Sequence, residues 1–506
     1  MKRVLDLPLF VILMGLGAVM MFVPVFHAVA VRDWLPARSF FYSGVLFSIL
    51  TTLIGIATVD IKPRILARSH LSALLATFVV LPAMLAVPFY EGLQTTTFLN
   101  AYFEMVSSLT TTGLTLFAPD RLPDTLHLWR ALIGWLGGFL MWVAAIAIMW
   151  PLNLGGFEVI SNKEVGAGMG AGRGLGGQVQ VDARERLVSY AARFFPIYAG
   201  LTLLLWLGLV ILGDNAFTAV CHAMSVLATS AISPVGGLAG STSGIGGEAL
   251  IFIFFAFAIS RKTFSLDSTT FKLSTFQSDS EVRLGAFFAV LIPSLLFLRH
   301  WIGAYEVDDE SDLLGAFGAL WGGVFSTVSF LTTTGFESAE WQTARNWSGL
   351  QTPGLILAGL ALIGGGVATT AGGVKLLRVY ALYKHGVREM ERLVHPHSVG
   401  GSGSIARQLR RRGAFVAWVF AMLFALAFAA VAVLLAAAGL NFDQAMVLSV
   451  ASLSNTGPVA AAVLEQPIDP AGFSALAKSI LCAAMVLGRL EALVIIALLN
   501  PEFWRR

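Results

Sequence analysis

Charge is what this 506-residue sequence lacks. Asp, Glu, Lys and Arg together make up 12% of it, against about 25% in a soluble globular chain, which excludes an ordinary soluble protein. The net charge of +3 is too small to suggest a nucleic-acid partner. Cysteine is nearly absent: Cys221 and Cys482 lie in apolar surroundings and read as small buried hydrophobes, not as a disulfide or metal site. The eight histidines form no ligand-spaced cluster, and His395 and His397 flank Pro396 in a basic, solvated loop. No paired carboxylates or His-rich set falls inside the apolar spans. An intramembrane enzyme needs such groups at depth, so the chain is read as a non-enzyme.

What is abundant is apolar sequence, 57% of the residues. Runs such as "FVAWVFAMLFALAFAAVAVLLAAAGL" exceed the roughly 20 residues a membrane helix needs. Two N-terminal membrane helices are expected near 7–30 and 39–59. Eight more follow near 71–90, 127–151, 187–212, 245–260, 283–301, 353–383, 413–439 and 473–499. Ala28-Val29-Ala30 resembles a signal-peptidase site. The apolar stretch before it is long for a signal peptide, so it is read as a retained first helix.

Between members of each later pair lies a shorter apolar segment, near 96–109, 215–228, 313–331 and 442–453. Each ends in a Ser/Thr-rich stretch: "LTTTGLT", "LATSAIS", "LTTTGFE" and "LSNTGPV". Aligned on these, Gly113, Ala231, Gly335 and Gly457 are spaced 118, 104 and 122 residues apart. This is a fourfold repeat of helix, half-helix, polar loop and helix. The expected fold class is an all-α polytopic membrane protein with two N-terminal helices and four pore-loop repeats around a central pore. The expected divisions are 1–60 for the helix pair, then repeats at 61–155, 156–265, 266–390 and 391–506.

Lys2, Arg3, Lys62, Arg64, Arg68, Lys163, Arg173, Arg184, Arg186, Arg261, Lys262 and the basic segment 384–412 fall on one side, which the positive-inside rule makes cytoplasmic. The filter-like stretches then open outward. The acidic loop "YEVDDESD" at 305–312 reads as solvated. The glycine-rich stretch 164–178 contains a GxGxxG string, but no strand precedes it, so it reads as a flexible cytoplasmic linker.

Non-helical backbone at membrane depth is tolerated only where it is buried in protein or lines water. Four Thr/Gly loops therefore point to a shared cavity, where rings of carbonyl oxygens replace the water shell of a cation. Each half-helix would aim its C-terminal end, about −0.5 charge, at the ion. One "TTTG" alone could be an idle helix end. Two near-identical copies, with two diverged ones in register, argue for function.

Residues 364–373, "GGGVATTAGG", interrupt the 353–383 span. Consecutive glycines cost a helix roughly 1 kcal/mol each against alanine. The stretch is either a tight helix-packing site or an unwound loop below the filter acting as a gate. Arg489 and Glu491 sit within the last span, where charge is expensive. They form an ion pair near the inner interface, or Arg489 stands beside the permeation path.

The stretches "YFEMVSSLTTTGLT", "WLGGF", "CHAMSVLATSAIS", "FLTTTGFES", "GGGVATTAGGVKLLR", "REMERLVHP", "LSNTGP" and "GRLEALVIIALLNPEFWR" resemble the Trk/Ktr/HKT superfamily of cation transporters, most closely the bacterial Trk branch. The resemblance implies potassium uptake across a bacterial inner membrane, with K⁺ as transported ion and no covalent cofactor. It implies a homodimer in membrane lipid and a cytoplasmic nucleotide-binding regulatory subunit as partner. It implies that Thr111, Thr112, Gly113, Thr229, Ser230, Ala231, Thr333, Thr334, Gly335, Asn455, Thr456 and Gly457 form the ion-binding filter. The gate would comprise Gly364, Gly365, Gly366, Thr369, Thr370, Gly372, Gly373, Lys375 and Arg489. One departure stands out: the second segment has Ala231 where the family has glycine. That puts strict potassium selectivity in question and keeps a Na⁺-permissive pathway as the alternative. Whether transport is channel-like or coupled to protons or sodium is not encoded in these motifs.

Overall fold

A computed structural model describes residues 7–59, 66–150, 156–157, 183–260, 279–303, 313–350, 352–395, 413–464, 468 and 470–491. The glycine-rich linker at 164–178, the acidic loop at 305–312 and the basic stretch at 396–412 lie outside them. All regular structure among the described residues is helical.

The N-terminal pair comprises Leu9–Ala30, interrupted at Met21, and Trp34–Thr58. The first repeat follows with Leu66–Val79 and Leu81–Leu93, the half-helix Phe98–Leu109, and Asp124–Ala144 running into a π turn, Ala145–Met149. Its outer helix breaks at Val80 because Pro82 cannot donate to the preceding turn. The second repeat is Ala183–Ile211, Ala216–Ala228 and Gly244–Phe254 with Ala256–Ile259. The third is Ser280–Gly303, Leu313–Leu331, a short outer helix Trp341–Ser348, and Gly354–Ile363. The fourth is Gly413–Ala437, Phe442–Leu453 and Ala475–Leu490, preceded by the helix Leu376–Val394.

Seven described helices are long and apolar enough to cross a membrane, where ten spans were expected. The other three are cut short for identifiable reasons. Gly244–Ile259 is interrupted at Phe255, the 353–383 span is split by the glycine-rich loop, and the last described helix stops at Glu491, whose φ is +63°. The helix Trp341–Ser348 was not anticipated, because "WQTARNWS" holds no apolar run. It ends at Gly349 in the left-handed region.

Burial inverts the soluble pattern. Ser225, Ser329, Ser449 and Ser452 are fully buried at the centre, while Ile56, Ile253 and Val433 are exposed on the periphery. An apolar rim suits lipid, and polar groups survive inside only when bonded. Ser449 and Ser452 donate to the Ala445 and Leu448 carbonyls at 2.6 and 2.7 Å. Cys221 and Cys482 are buried free thiols.

Candidate ion filter

Three of the half-helices begin on a described cap, and all four end on the same turn. Thr97 accepts from the Asn100 amide, Asn215 from the Phe217 amide, and Asn441 forms a capping box with Gln444. At the other end, Thr111, Thr229, Thr333 and Asn455 all stand at positive φ, +56°, +53°, +56° and +53°. The residue after each donates its N–H to the carbonyl five positions back: Thr112 to Ser107, Ser230 to Ser225, Thr334 to Ser329 and Thr456 to Ala451, at 2.8, 3.0, 2.9 and 2.9 Å. Four left-handed non-glycine residues in equivalent places, each costing roughly 1–2 kcal/mol, mark a built turn. It reverses the chain and brings Thr112, Ser230, Thr334 and Thr456 into the protein centre, all buried.

The fourth position is less uniform. Gly113, Ala231 and Gly335 take φ of +74°, +47° and +83°. Gly457 does not share that conformation. Its N–H donates to the Thr112 carbonyl at 2.6 Å, and a Cβ there would lie 2.3 Å from the Leu114 nitrogen. The segments close into a ring: the fourth touches the first here, and His222 from the second half-helix packs edge-on against Phe336 after the third, 5.4 Å between centroids.

A second repeat, missed from sequence, supports the first. Seven residues before each left-handed position stand Glu104, His222, Ser326 and Leu448. Glu104 accepts from the Leu116 N–H at 2.6 Å and the Thr115 hydroxyl at 2.9 Å, and pairs with Arg130 at 2.8 Å. The His222 Nε2 hydrogen-bonds the Ser233 hydroxyl at 2.8 Å, with Asp214 at 3.8 Å from its other nitrogen. Ser326 accepts from the Ser338 N–H at 3.4 Å, and Glu248 completes the hold on that loop through Ser338 and Ala339, both at 2.6 Å. Three segments are thus braced just past the turn by buried polar groups. Leu448 offers nothing. The fourth segment is held instead by Asn455, whose Nδ2 donates to the Thr112 hydroxyl at 3.0 Å and the Met485 carbonyl at 2.9 Å. The signal was in the sequence: "YFEM" and "CHAM" place a polar side chain at the same register of an apolar half-helix.

Residues 364–375 are non-helical and buried beneath these turns. The Gly372 N–H donates to the Thr333 hydroxyl at 2.7 Å, and the Thr370 hydroxyl to the Leu227 carbonyl at 3.1 Å. Lys375 donates to the Ala371 carbonyl. The arrangement removes one of the two alternatives for the last span. Arg489 does not pair with Glu491; its Nη1 donates to the Thr370 carbonyl at 2.8 Å. Glu491 instead pairs with Arg378 at 2.6 Å, and that guanidinium stacks over Phe420 at 3.7 Å. Glu491 stands past the end of the helix at φ +63°, where the chain leaves the helical path and carries its carboxylate to Arg378.

Four half-helices aimed at one centre, with a buried non-helical loop below, are the architecture of a pore-loop membrane protein. The family described as TrkH, cation transport protein, matches residues 314–504. The chain is 30% identical over 449 residues to the Trk system potassium uptake protein TrkH of Salmonella typhimurium, covering 88% of this chain and 87% of that one. It is 31% identical over 419 residues to the protein of that name from Halomonas elongata, covering 80% of each. The crystal structure of the potassium transporter TrkH from Vibrio parahaemolyticus superposes with a TM-score of 0.81 over all of both chains, at 24% identity. The chain belongs to the Trk family of potassium uptake proteins, multi-pass membrane transporters and not enzymes, whose transported ion is K⁺.

Proposed function

We propose that this chain carries K⁺ inward across a bacterial inner membrane through a filter made by its four left-handed turns. The observation that carries the reading is the equivalence of Thr111, Thr229, Thr333 and Asn455 in backbone conformation and hydrogen bonding. The same turn four times around one axis supplies converging oxygens for a dehydrated cation. Residues 111–113, 229–231, 333–335 and 455–457 form the ion site in this reading, and the chain divides into a helix pair and four repeats at the boundaries given above.

The loop from Gly364 to Lys375, with Arg489, is the gate. It bonds to the filter turn at Thr333, and Arg489 holds it from the last helix. A buried guanidinium below the filter repels a descending cation, so the loop and the arginine together close the path. The working assembly is a homodimer in lipid with a cytoplasmic nucleotide-binding regulatory subunit, and no nucleic acid. A Na⁺-permissive version of the same pathway is favoured by one observation, the alanine at φ +47° in the second turn.

Two measurements test this. Expression with the regulatory subunit should rescue a potassium-uptake-deficient bacterium at low external K⁺; no growth with verified membrane expression sinks the transport reading. Purified protein in liposomes should pass K⁺ and Rb⁺ over Na⁺, with an imposed pH gradient separating channel-like from coupled transport. Arg489→Ala should raise flux there, and an unchanged flux would leave the arginine a structural residue.

A further inference from the structure

The gate loop has two halves with different partners. Residues 370–372 bond to the filter and to Arg489. Residues 366–369 bond elsewhere, to the junction of the second and third repeats. The Gly366 N–H donates to the Ala258 carbonyl at 2.9 Å, and the Thr369 hydroxyl to the same carbonyl at 3.2 Å. The Val367 N–H donates to Glu281 Oε1 at 2.7 Å.

Glu281 differs in kind from the other partners of this half. The rest are main-chain carbonyls, common to any sequence. Glu281 is a carboxylate, 2% exposed, in the first turn of the helix Ser280–Gly303. A buried carboxylate is retained only where its bonds repay desolvation, and bonds to an ionised acceptor are the stronger ones. Its backbone is fixed in turn: the Glu281 N–H donates to Asp279 Oδ1 at 3.1 Å, and Asp279 Oδ2 accepts from the Ser260 hydroxyl at 2.8 Å. Ser260, Asp279 and Glu281 form a strut from the end of one repeat to the start of the next, with the loop at its tip. On its other flank the loop has no room, since a Cβ on Gly366 would lie 2.1 Å from the Ile259 carbonyl oxygen. The loop can leave this seat only by breaking its bond to Glu281.

We infer that Glu281 is a positioning residue for transport: its carboxylate holds the first half of the loop in the closed seat by accepting the Val367 N–H. This rests on the reading of 364–375 as the gate. Removing the acceptor leaves a buried N–H unsatisfied in the closed position only, which favours opening.

In liposomes holding the full chain, Glu281→Ala is expected to raise K⁺ flux about fivefold or more, the effect of losing one bond to a charged acceptor. Amide hydrogen exchange across 366–369 should quicken, and the K⁺-over-Na⁺ ratio should stay at the wild-type value. Glu281→Gln keeps a neutral oxygen for Val367 and should fall between wild type and the alanine variant in flux and exchange, with the ratio unchanged. Should the alanine protein not accumulate, Glu281→Leu, of similar bulk and without an acceptor, takes its place. Unchanged flux overturns the proposal even if exchange quickens. A fallen ratio also overturns it, by locating the damage in the filter, and so does a glutamine variant as active as the alanine one. Deleting 366–369 separates the two readings: if deletion raises flux while Glu281→Ala and Glu281→Leu do not, Glu281 fails and the gate stands, and if none raises it, both fail.

Discussion

The second and fourth of the left-handed turns depart from the "TTTG" pattern in opposite ways. The second loses its glycine and keeps the glycine conformation, holding Ala231 at φ +47°. The fourth keeps its glycine and does not use that conformation. Gly457 is required there by distance, because its backbone passes against Leu114 and Thr112 of the first segment. The same letter in an alignment therefore answers two demands: at Gly113 and Gly335 a positive φ is combined with a close approach, a Cβ on Gly113 falling 1.8 Å from the Ser230 carbonyl oxygen, whereas at Gly457 only the close approach applies. The bracing differs likewise. His222 and Asp214 support the second segment from behind, whereas Asn455 ties the fourth to its neighbour and to the last helix.

Four substitutions probe this contrast, beginning with the largest expected effect. Gly457→Ala places a carbon 2.3 Å from the Leu114 nitrogen, and main chain on both sides cannot yield. Overpacking of this kind costs roughly 1–3 kcal/mol, and K⁺ flux in liposomes should fall at least about tenfold. Flux near wild type would mean that the first and fourth segments do not meet as described. Asn455→Thr installs the residue that the other three turns carry at that backbone conformation, so the turn survives while both amide donations go. With the one bond that reaches the first turn, at Thr112, worth about 1 kcal/mol, the K⁺-over-Na⁺ flux ratio should drop roughly fivefold; a preserved ratio would show that the strut is idle.

His222→Leu makes the second segment resemble the fourth, which has Leu448 at that register. It leaves the Ser233 hydroxyl and Asp214 short of a partner, and the protein should lose roughly 1–3 kcal/mol of stability, read as earlier thermal unfolding in detergent. An unshifted melting curve would argue that the brace is dispensable. Ala231→Gly should have the smallest effect. Relief of left-handed strain returns roughly 1–2 kcal/mol, and the looser unfolded chain takes back about 0.4–1. The net gain, under about 1.5 kcal/mol, corresponds to at most about a tenfold rise in K⁺-over-Na⁺ ratio. No rise, with fold and amount verified, would mean that three glycine-bearing segments set selectivity.

Much of this organisation was legible in the sequence, for local reasons. The half-helices were placed within a residue or two, because apolar runs ending in Ser and Thr announce where a buried helix must stop. The loop at 364–373 was legible because three glycines in a row weaken a helix wherever they fall. The brace at Glu104, His222 and Ser326 was readable but unread; it emerges only when the four segments are aligned on their turns. The helix Trp341–Ser348 had no apolar periodicity to betray it.

The membrane setting, the fourfold period and the positions of the turns follow from the amino-acid order alone, since each is written in the composition of a short window. The tertiary structure alone decided who partners whom. Arg489 and Glu491 stand two residues apart and invite pairing, yet their partners are Thr370 and Arg378, more than a hundred residues away. Val367 finds its acceptor in Glu281, and Asn455 its own in Thr112, 86 and 343 positions distant. Such contacts arise from the closing of four repeats into one ring. A buried donor takes whichever acceptor that closure sets within about 3 Å of it, and no local pattern encodes the choice.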